Sequence, residues 1–173
     1  MSEWEFGVHA LVFRGGTSAA DVDDMVRRAG QAGYDLLELS LHDSVHLDVG
    51  RARDAISEAG LALVCSRGLA FDADPSSEDP GVVARGAALL ADSLELTHRL
   101  GGRLFTGALY GALGKYDRQL SAAGRSNLIG VLRELAAQAA GYGITLGVEV
   151  CNRYETNVVN TAVDALRLID DIG

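Results

Sequence analysis

The stretch Thr145-Leu-Gly-Val-Glu-Val-Cys-Asn-Arg-Tyr-Glu155 has the pattern of a strand that runs into a polar loop. Alternate strand positions are apolar, and the positions between them include Gly147 and Glu149. The apolar face suits packing against helices, whereas a glycine beside a carboxylate suits a barrel interior near its mouth. A carboxylate there is costly unless it is paired or binds a metal. Glu149 is therefore a candidate site residue, and a structural ion pair with Arg153 is the alternative.

Further strand and helix patterns alternate along the whole chain. Short apolar runs predict strands over residues 6–13, 36–39, 61–65, 103–106 and 144–150. Segments with helical periodicity separate these runs. A glycine stands at each helix-to-strand junction, as expected where a helix ends in a residue with left-handed backbone conformation. Strands joined by helices form parallel sheets with right-handed crossovers. The sequence therefore predicts five consecutive strand–helix units.

Two α/β architectures accommodate five such units. One is a flavodoxin-like open sheet, which is complete at five strands. The other is a (β/α)8 TIM barrel, of which the chain would hold only the first five βα units. The units average about 35 residues, and eight of them would need roughly 280, which is within the range of barrels. We favour the barrel and treat residues 1–173 as a single incomplete TIM-barrel domain.

Composition restricts the partners. Asp and Glu number 24 against 15 Lys and Arg, a net charge of −9, which argues against a nucleic-acid interface. No run of about eighteen uncharged apolar residues is present, so we expect no membrane partner. The two cysteines, Cys65 and Cys151, make no disulfide framework and are expected to be small buried hydrophobes. A reducing cytoplasm is the expected location.

The segment from Glu149 to Glu155, followed by Asn160-Thr161-Ala162, resembles the corresponding part of ketose 3-epimerases. These enzymes, the D-tagatose/D-allulose 3-epimerase group, belong to the xylose-isomerase-like TIM-barrel superfamily of sugar-phosphate isomerases and epimerases. Residues 32–38, 65–69 and 105–109 resemble the second, third and fourth strand regions of that superfamily. The resemblance extends over nearly the whole chain, and residues 149–155 are the part that is specific to the 3-epimerase branch.

The resemblance implies a metal-dependent epimerisation at C3 of a ketose sugar through an enediolate. Glu149 matches a glutamate that is both a metal ligand and one of two acid/base carboxylates, and Glu155 matches one that hydrogen-bonds the sugar. Gly68, Gly107 and the inward-facing His9 are further candidates for substrate binding. Such oxygen-rich ligation suits Mn²⁺, with Mg²⁺ or Co²⁺ as alternatives.

The family's other three metal ligands, an Asp, a His and a Glu, come from strands six to eight, beyond residue 173. We therefore expect the 173-residue chain alone to be inactive, and the full-length protein to be a homo-oligomer that acts on a small sugar.

Other functions stay open on the sequence. A non-catalytic flavodoxin-like binding module is weakened because neither a phosphate loop nor a receiver-type aspartate follows the predicted strands. A hydroxypyruvate or inosose isomerase of the same superfamily is a further alternative. So is an AP-endonuclease-like protein, in which His42 and His46 would bind zinc if they lay on a helix. The last alternative is a remnant of the barrel that serves only as a structural or complementing fragment.

Overall fold

Five parallel strands, each followed by a helix, build the fold in a computed structural model that describes residues 4–42, 44 and 46–173. The strands are β1 (Gly7–His9), β2 (Leu36–Ser40), β3 (Ala62–Ser66), β4 (Leu104–Thr106) and β5 (Thr145–Leu146). The helices are α1 (Ala19–Gln31), α2 (Val49–Glu58), α3 (Pro80–Leu100), α4 (Ala122–Tyr142) and α5 (Ala162–Ile172). Two 3₁₀ turns, Ala10–Val12 and Phe71–Ala73, follow β1 and β3.

The strand order in the sheet is the order in the sequence, β1-β2-β3-β4-β5. Every strand pairs in parallel with the next one, and the helices pack side by side, each against its successor. A flavodoxin-like sheet would instead place its first strand between the second and third. The prediction of a partial TIM barrel is therefore confirmed, and the flavodoxin-like alternative is wrong.

The two faces of the sheet differ sharply in burial. On the helix side, Val8, Leu37, Leu39, Cys65 and Phe105 are buried and form the core together with apolar side chains of α1 to α4. Positions of opposite parity line the inner face, and most of them are only partly buried. This inner face is the surface that becomes the interior of a closed barrel.

Helix ends follow the sequence signals. The side chains of Ser18, Asp79 and Thr161 accept hydrogen bonds from backbone amides in the first turns of α1, α3 and α5. At the opposite ends, Gly101 and Gly143 adopt left-handed conformations, with φ of 83° and 68°. These caps fix where each helix passes into the following strand.

Two predicted strands are shorter by several residues in the structure. The strand predicted over residues 6–13 ends at His9, because the His9 ring accepts a hydrogen bond from the Leu11 amide (3.1 Å) and starts a 3₁₀ turn. The strand predicted over residues 144–150 is regular only over Thr145–Leu146. Its ladder continues nonetheless, since the amides of Gly147 and Glu149 donate to carbonyls of residues 105 and 107.

Large apolar side chains lie exposed beside both open edges of the sheet. Trp4 and Phe6 precede β1, and Val150 follows β5. The apolar face of this last segment packs against the core at Leu146 and Val148, as predicted, but not at Val150. On α5, Val163, Leu166 and Ile169 share one exposed stripe, and Leu166 is 61% exposed. Among the described residues, no helix has both the length and the apolar character that crossing a bilayer demands.

Candidate active site

The predicted site residues converge at the ends of the strands. Strand register connects His9 on β1, through Glu38, Val64 and Leu104, to Thr145 on β5. In a barrel of eight strands and shear eight, residues at equal height advance by about one position per strand. Across four strands the advance is about four residues, from Thr145 to Glu149. His9 and Glu149 therefore reach the same level at the carboxyl ends, where barrels of this type carry their active sites.

Glu149 is held by its backbone, while its side chain is exposed. Its amide donates to the Gly107 carbonyl (3.2 Å), and its carbonyl accepts from the Tyr110 hydroxyl (2.9 Å). Its carboxylate has no hydrogen bond or ion pair with any other residue that the structure describes, Arg153 included. The alternative of a structural ion pair is thus not met among the described side chains, and the carboxylate is available to a ligand.

Glu155 lies in the loop after β5, six residues beyond Glu149. Its carboxylate accepts a hydrogen bond from the Asn152 side-chain amide, and its carbonyl accepts from the Gly114 amide (2.7 Å). The loop folds on itself, because Asn160 donates to the carbonyls of Cys151 and Thr156. Glu155 is therefore presented on an ordered loop at the same end of the sheet as Glu149.

His9 faces the inner side of the sheet next to a carboxylate. Its Nε2 lies 3.6 Å from Glu38 Oε1, and both side chains are 32% exposed. Because Nδ1 accepts from the Leu11 amide, the ring proton belongs on Nε2 when the imidazole is neutral. His9 therefore directs an N–H group toward Glu38 and the barrel interior.

Gly107 and Gly68 occupy places where a side chain would collide. A Cβ on Gly107, which has φ of 123°, would lie 2.3 Å from the Arg67 carbonyl oxygen. A Cβ on Gly68 would lie 2.4 Å from Leu113. Gly68 and Leu113 also line a mainly apolar cleft of about 300 Å³ at the ends of β1 to β3, together with Leu11 and His42. Either glycine could meet a ligand only through its backbone.

His42 and His46 do not lie on a helix, which was the condition for the alternative that they bind zinc. Both lie in turns that precede α2, so they do not share a helical face. Over the described ranges, no group of three or more His, Cys, Asp or Glu side chains is placed to hold a metal ion. The AP-endonuclease-like alternative therefore has no support from these two residues.

The two cysteines are buried and unpaired, as predicted. Burial raises the pKa of the Cys65 thiol to about 12, and a hydrogen bond with Thr97 opposes this only partly. Burial likewise raises the pKa of Cys151, which contacts Tyr110. Both thiols are thus protonated at neutral pH and unsuited to nucleophilic chemistry.

Comparison with known proteins identifies the family. Residues 26–173 match the model of the family "Xylose isomerase-like TIM barrel". The chain belongs to this family. Among xylose isomerase-like relatives, an L-ribulose 3-epimerase of Methylomonas sp. (strain DH-1) is 39% identical over 169 residues, which are 98% of this chain and 59% of the relative. A ketose 3-epimerase of Arthrobacter globiformis is also 39% identical over 169 residues, 98% of this chain and 58% of the relative.

Solved structures of xylose isomerase-like barrels support the same family assignment. The crystal structure of D-allulose 3-epimerase from Methylomonas sp. in complex with D-allulose superposes with a TM-score of 0.93 at 39% identity, covering 97% of this chain and 58% of that one. The resemblance to ketose 3-epimerases is thereby confirmed. The chain spans somewhat under three-fifths of the length of these relatives.

Several residues at the site were not predicted from the sequence. Glu38 has a detectable signal, because it shares strand parity with Leu36 and Ser40 and so faces inward. No such signal exists for Asp74, nor for the hydrogen bonds that Tyr110 donates to the Glu149 carbonyl and Tyr116 donates to Asp74. Asp74 and Tyr116 are 42 residues apart and meet only because two loops pack together.

Proposed function

We propose that this chain supplies one part of the active site of a metal-dependent ketose 3-epimerase, with Glu149 as metal ligand and acid/base group. The observation that carries the proposal is the state of Glu149. Both of its backbone polar groups are held by residues 107 and 110, whereas its carboxylate is exposed at the mouth of the partial barrel. A rigid backbone with an unoccupied carboxylate is what a base needs in order to reach a substrate.

The proposed chemistry begins with removal of a proton from C3, the carbon beside the ketone. Glu149 would take or return this proton on one face of the sugar, and a second carboxylate would act on the opposite face. A divalent cation bound to substrate oxygens would stabilise the negative charge that develops as the proton leaves. Carboxylate ligation favours Mn²⁺, Mg²⁺ or Co²⁺, and we propose Mn²⁺.

The described residues do not complete a metal site. Glu149 would donate one carboxylate, and no further group of ligands lies near enough to it in the described part of the chain. A cation with carboxylate ligands needs several such donors to bind tightly. We therefore propose that Glu149 shares the metal with ligands that these 173 residues do not supply.

Substrate contacts are proposed for Glu155, His9, Gly68 and Gly107. Glu155 would accept hydrogen bonds from sugar hydroxyls at the reacting end, since Asn152 already orients its carboxylate. The Nε2–H of His9, at the level of Glu149, would meet the other end of a short sugar. Gly68 and Gly107 would allow close approach through their backbones. Relatives named for L-ribulose, D-psicose and D-allulose support a ketose as substrate.

The experiment supplies the missing part of the barrel. The chain is co-expressed with the portion of the Methylomonas L-ribulose 3-epimerase that follows the matched region, and conversion of D-fructose to D-allulose is followed with Mn²⁺. We expect activity from the pair and its loss in Glu149→Gln. The matched control is Glu58→Gln, which removes an exposed carboxylate at the end of α2 and should leave turnover unchanged.

Two results would count against the proposal. Wild-type turnover and Mn²⁺ affinity in Glu149→Gln would remove Glu149 from the mechanism. A complex that forms and binds Mn²⁺ but exchanges no C3 proton of any ketose with solvent would reject the 3-epimerase reaction itself.

A further inference from the structure

The loop between β4 and α4, residues 107–121 and here called the brace loop, is anchored at its outer side by a buried carboxylate. Asp74 is 4% exposed. Its Oδ1 accepts from the amide and hydroxyl of Ser76 (both 2.7 Å), and its Oδ2 accepts from the Tyr116 hydroxyl (2.6 Å). The same tyrosine oxygen accepts from the Ala112 amide (2.9 Å). Tyr116 thus ties the middle of the brace loop to the loop after β3.

The inner side of the brace loop holds both proposed site glutamates by their carbonyls. The hydroxyl of Tyr110, whose side chain is fully buried, donates to the Glu149 carbonyl (2.9 Å). The Gly114 amide donates to the Glu155 carbonyl (2.7 Å). Gly114 lies two residues from both Ala112 and Tyr116, so the Asp74 anchor and the Glu155 contact belong to one short segment.

The geometry leaves this segment little freedom. A Cβ on Gly114 would lie 2.6 Å from the Phe71 ring, and the Phe71 and Tyr116 rings meet edge to face with centroids 4.9 Å apart. The Leu113 amide donates to the Leu69 carbonyl (2.8 Å), which adds a bond between the brace loop and the β3 side. Displacement of Tyr116 would therefore move the amide that holds Glu155.

Both tyrosines are suited to permanent hydrogen-bond donation. Burial is the main cause that raises the pKa of Tyr110 and of Tyr116 well above the usual range. Their hydroxyls therefore stay protonated throughout the physiological pH range. Replacement by phenylalanine removes the hydroxyl and leaves the buried ring in place.

We propose that Tyr110 and Tyr116 are positioning residues that set the separation of Glu149 and Glu155 through the brace loop. The catalytic meaning of that separation rests on the proposed function. Tyr110 acts on Glu149 directly through its carbonyl. Tyr116 acts on Glu155 indirectly, because it fixes the segment whose Gly114 amide donates to the Glu155 carbonyl.

The first test is amide hydrogen exchange on the 173-residue chain. Tyr116→Phe should speed exchange of the Gly114 amide by about fivefold, the effect of one lost hydrogen bond. Tyr110→Phe should instead speed exchange at Glu149 and Cys151, whose amides belong to the β5 end. The control is Tyr142→Phe. This substitution removes a hydroxyl on α4, outside the brace loop, and keeps the ring that stacks on His98. Equal effects of all three variants on all amides would overturn the proposal.

The second test uses the complemented enzyme. Tyr110→Phe should lower kcat with KM nearly unchanged, because the base is misplaced, whereas Tyr116→Phe should mainly raise KM, because Glu155 is displaced. A uniform loss of both parameters in step with lower stability would show a merely structural role and overturn the proposal. If the complemented enzyme with the wild-type chain epimerises no ketose, the proposed function fails by itself. The hydrogen-exchange pattern of the 173-residue chain still decides whether the tyrosines position the two glutamates.

Discussion

Replacing Gly107 by alanine tests the close approach of β3 and β4 at the mouth of the barrel. The new Cβ would lie 2.3 Å from the Arg67 carbonyl oxygen and 3.1 Å from the Arg67 backbone nitrogen and carbonyl carbon. All three contacts are with backbone, so no rotamer change can relieve them. Overpacking of this kind costs about 1–3 kcal/mol. The φ of 123° adds about 1–3 kcal/mol of strain for a residue with a Cβ.

We therefore expect Gly107→Ala to lower the free energy of unfolding by about 2–6 kcal/mol, a large part of the about 5–15 kcal/mol typical of a domain. The measurement is urea unfolding followed by far-ultraviolet circular dichroism, which reports on the five helices. Fluorescence is a poor probe, because the single tryptophan, Trp4, is 74% exposed.

Gly130→Ala is the matched control. Gly130 lies within α4, and a Cβ there would meet no heavy atom within 4 Å. Alanine should stabilise this helix by about 0.5–1 kcal/mol. If Gly107→Ala stayed within about 0.5 kcal/mol of the wild type, as surface substitutions do, the close contact with Arg67 would be refuted.

Three further predictions concern the thiol, the site and the assembly. Because the folded pKa of Cys65, about 12, exceeds its ordinary 9.0, only the unfolded chain loses this proton between the two values. Stability should therefore fall above about pH 9 by about 1.4 kcal/mol per pH unit, and Cys65→Ala should flatten the slope of urea midpoints from about pH 8 to about pH 10. In the complemented enzyme, Glu155→Ala should reduce turnover with little change in Mn²⁺ affinity measured by titration, and a defect confined to metal binding would contradict its role. The 173-residue chain alone should epimerise no ketose and should self-associate in size-exclusion chromatography, since its inner face and the α5 stripe are exposed; a compact, active monomer would show this expectation to be wrong.

The unit order, the helix caps and the position of Glu149 were predictable because each depends on residues close in sequence. Ser18 and Asp79 cap helices through amides two or three residues away, and alternation alone places Glu149 on the inner face. Strand ends were less predictable. The apolar run 6–13 gives no sign that the His9 side chain captures the Leu11 amide and ends β1.

Contacts between loops lay beyond the sequence patterns. The hydrogen bond from Tyr110 to Glu149 joins residues 39 apart, and no periodicity links them. The same holds for Gly114 and Glu155, which meet because the loops after β4 and β5 lie side by side. Strand order determines which loops are neighbours, but the particular donors and acceptors depend on loop conformations that the sequence patterns leave undetermined.

The agreement between strand order and chain order bears on how the protein folds during synthesis. Each strand pairs only with its predecessor and successor, so a nascent chain can complete one pairing per unit as it leaves the ribosome. Partners such as Val64 and Leu104 are nevertheless far apart in the sequence, and parallel pairing across such separations forms slowly. In a closed barrel the free edge of the first strand pairs with the last strand, which is synthesised last. That edge therefore stays unpaired throughout translation. Trp4 and Phe6, which lie exposed beside that edge, are therefore the large apolar side chains that stay uncovered for longest.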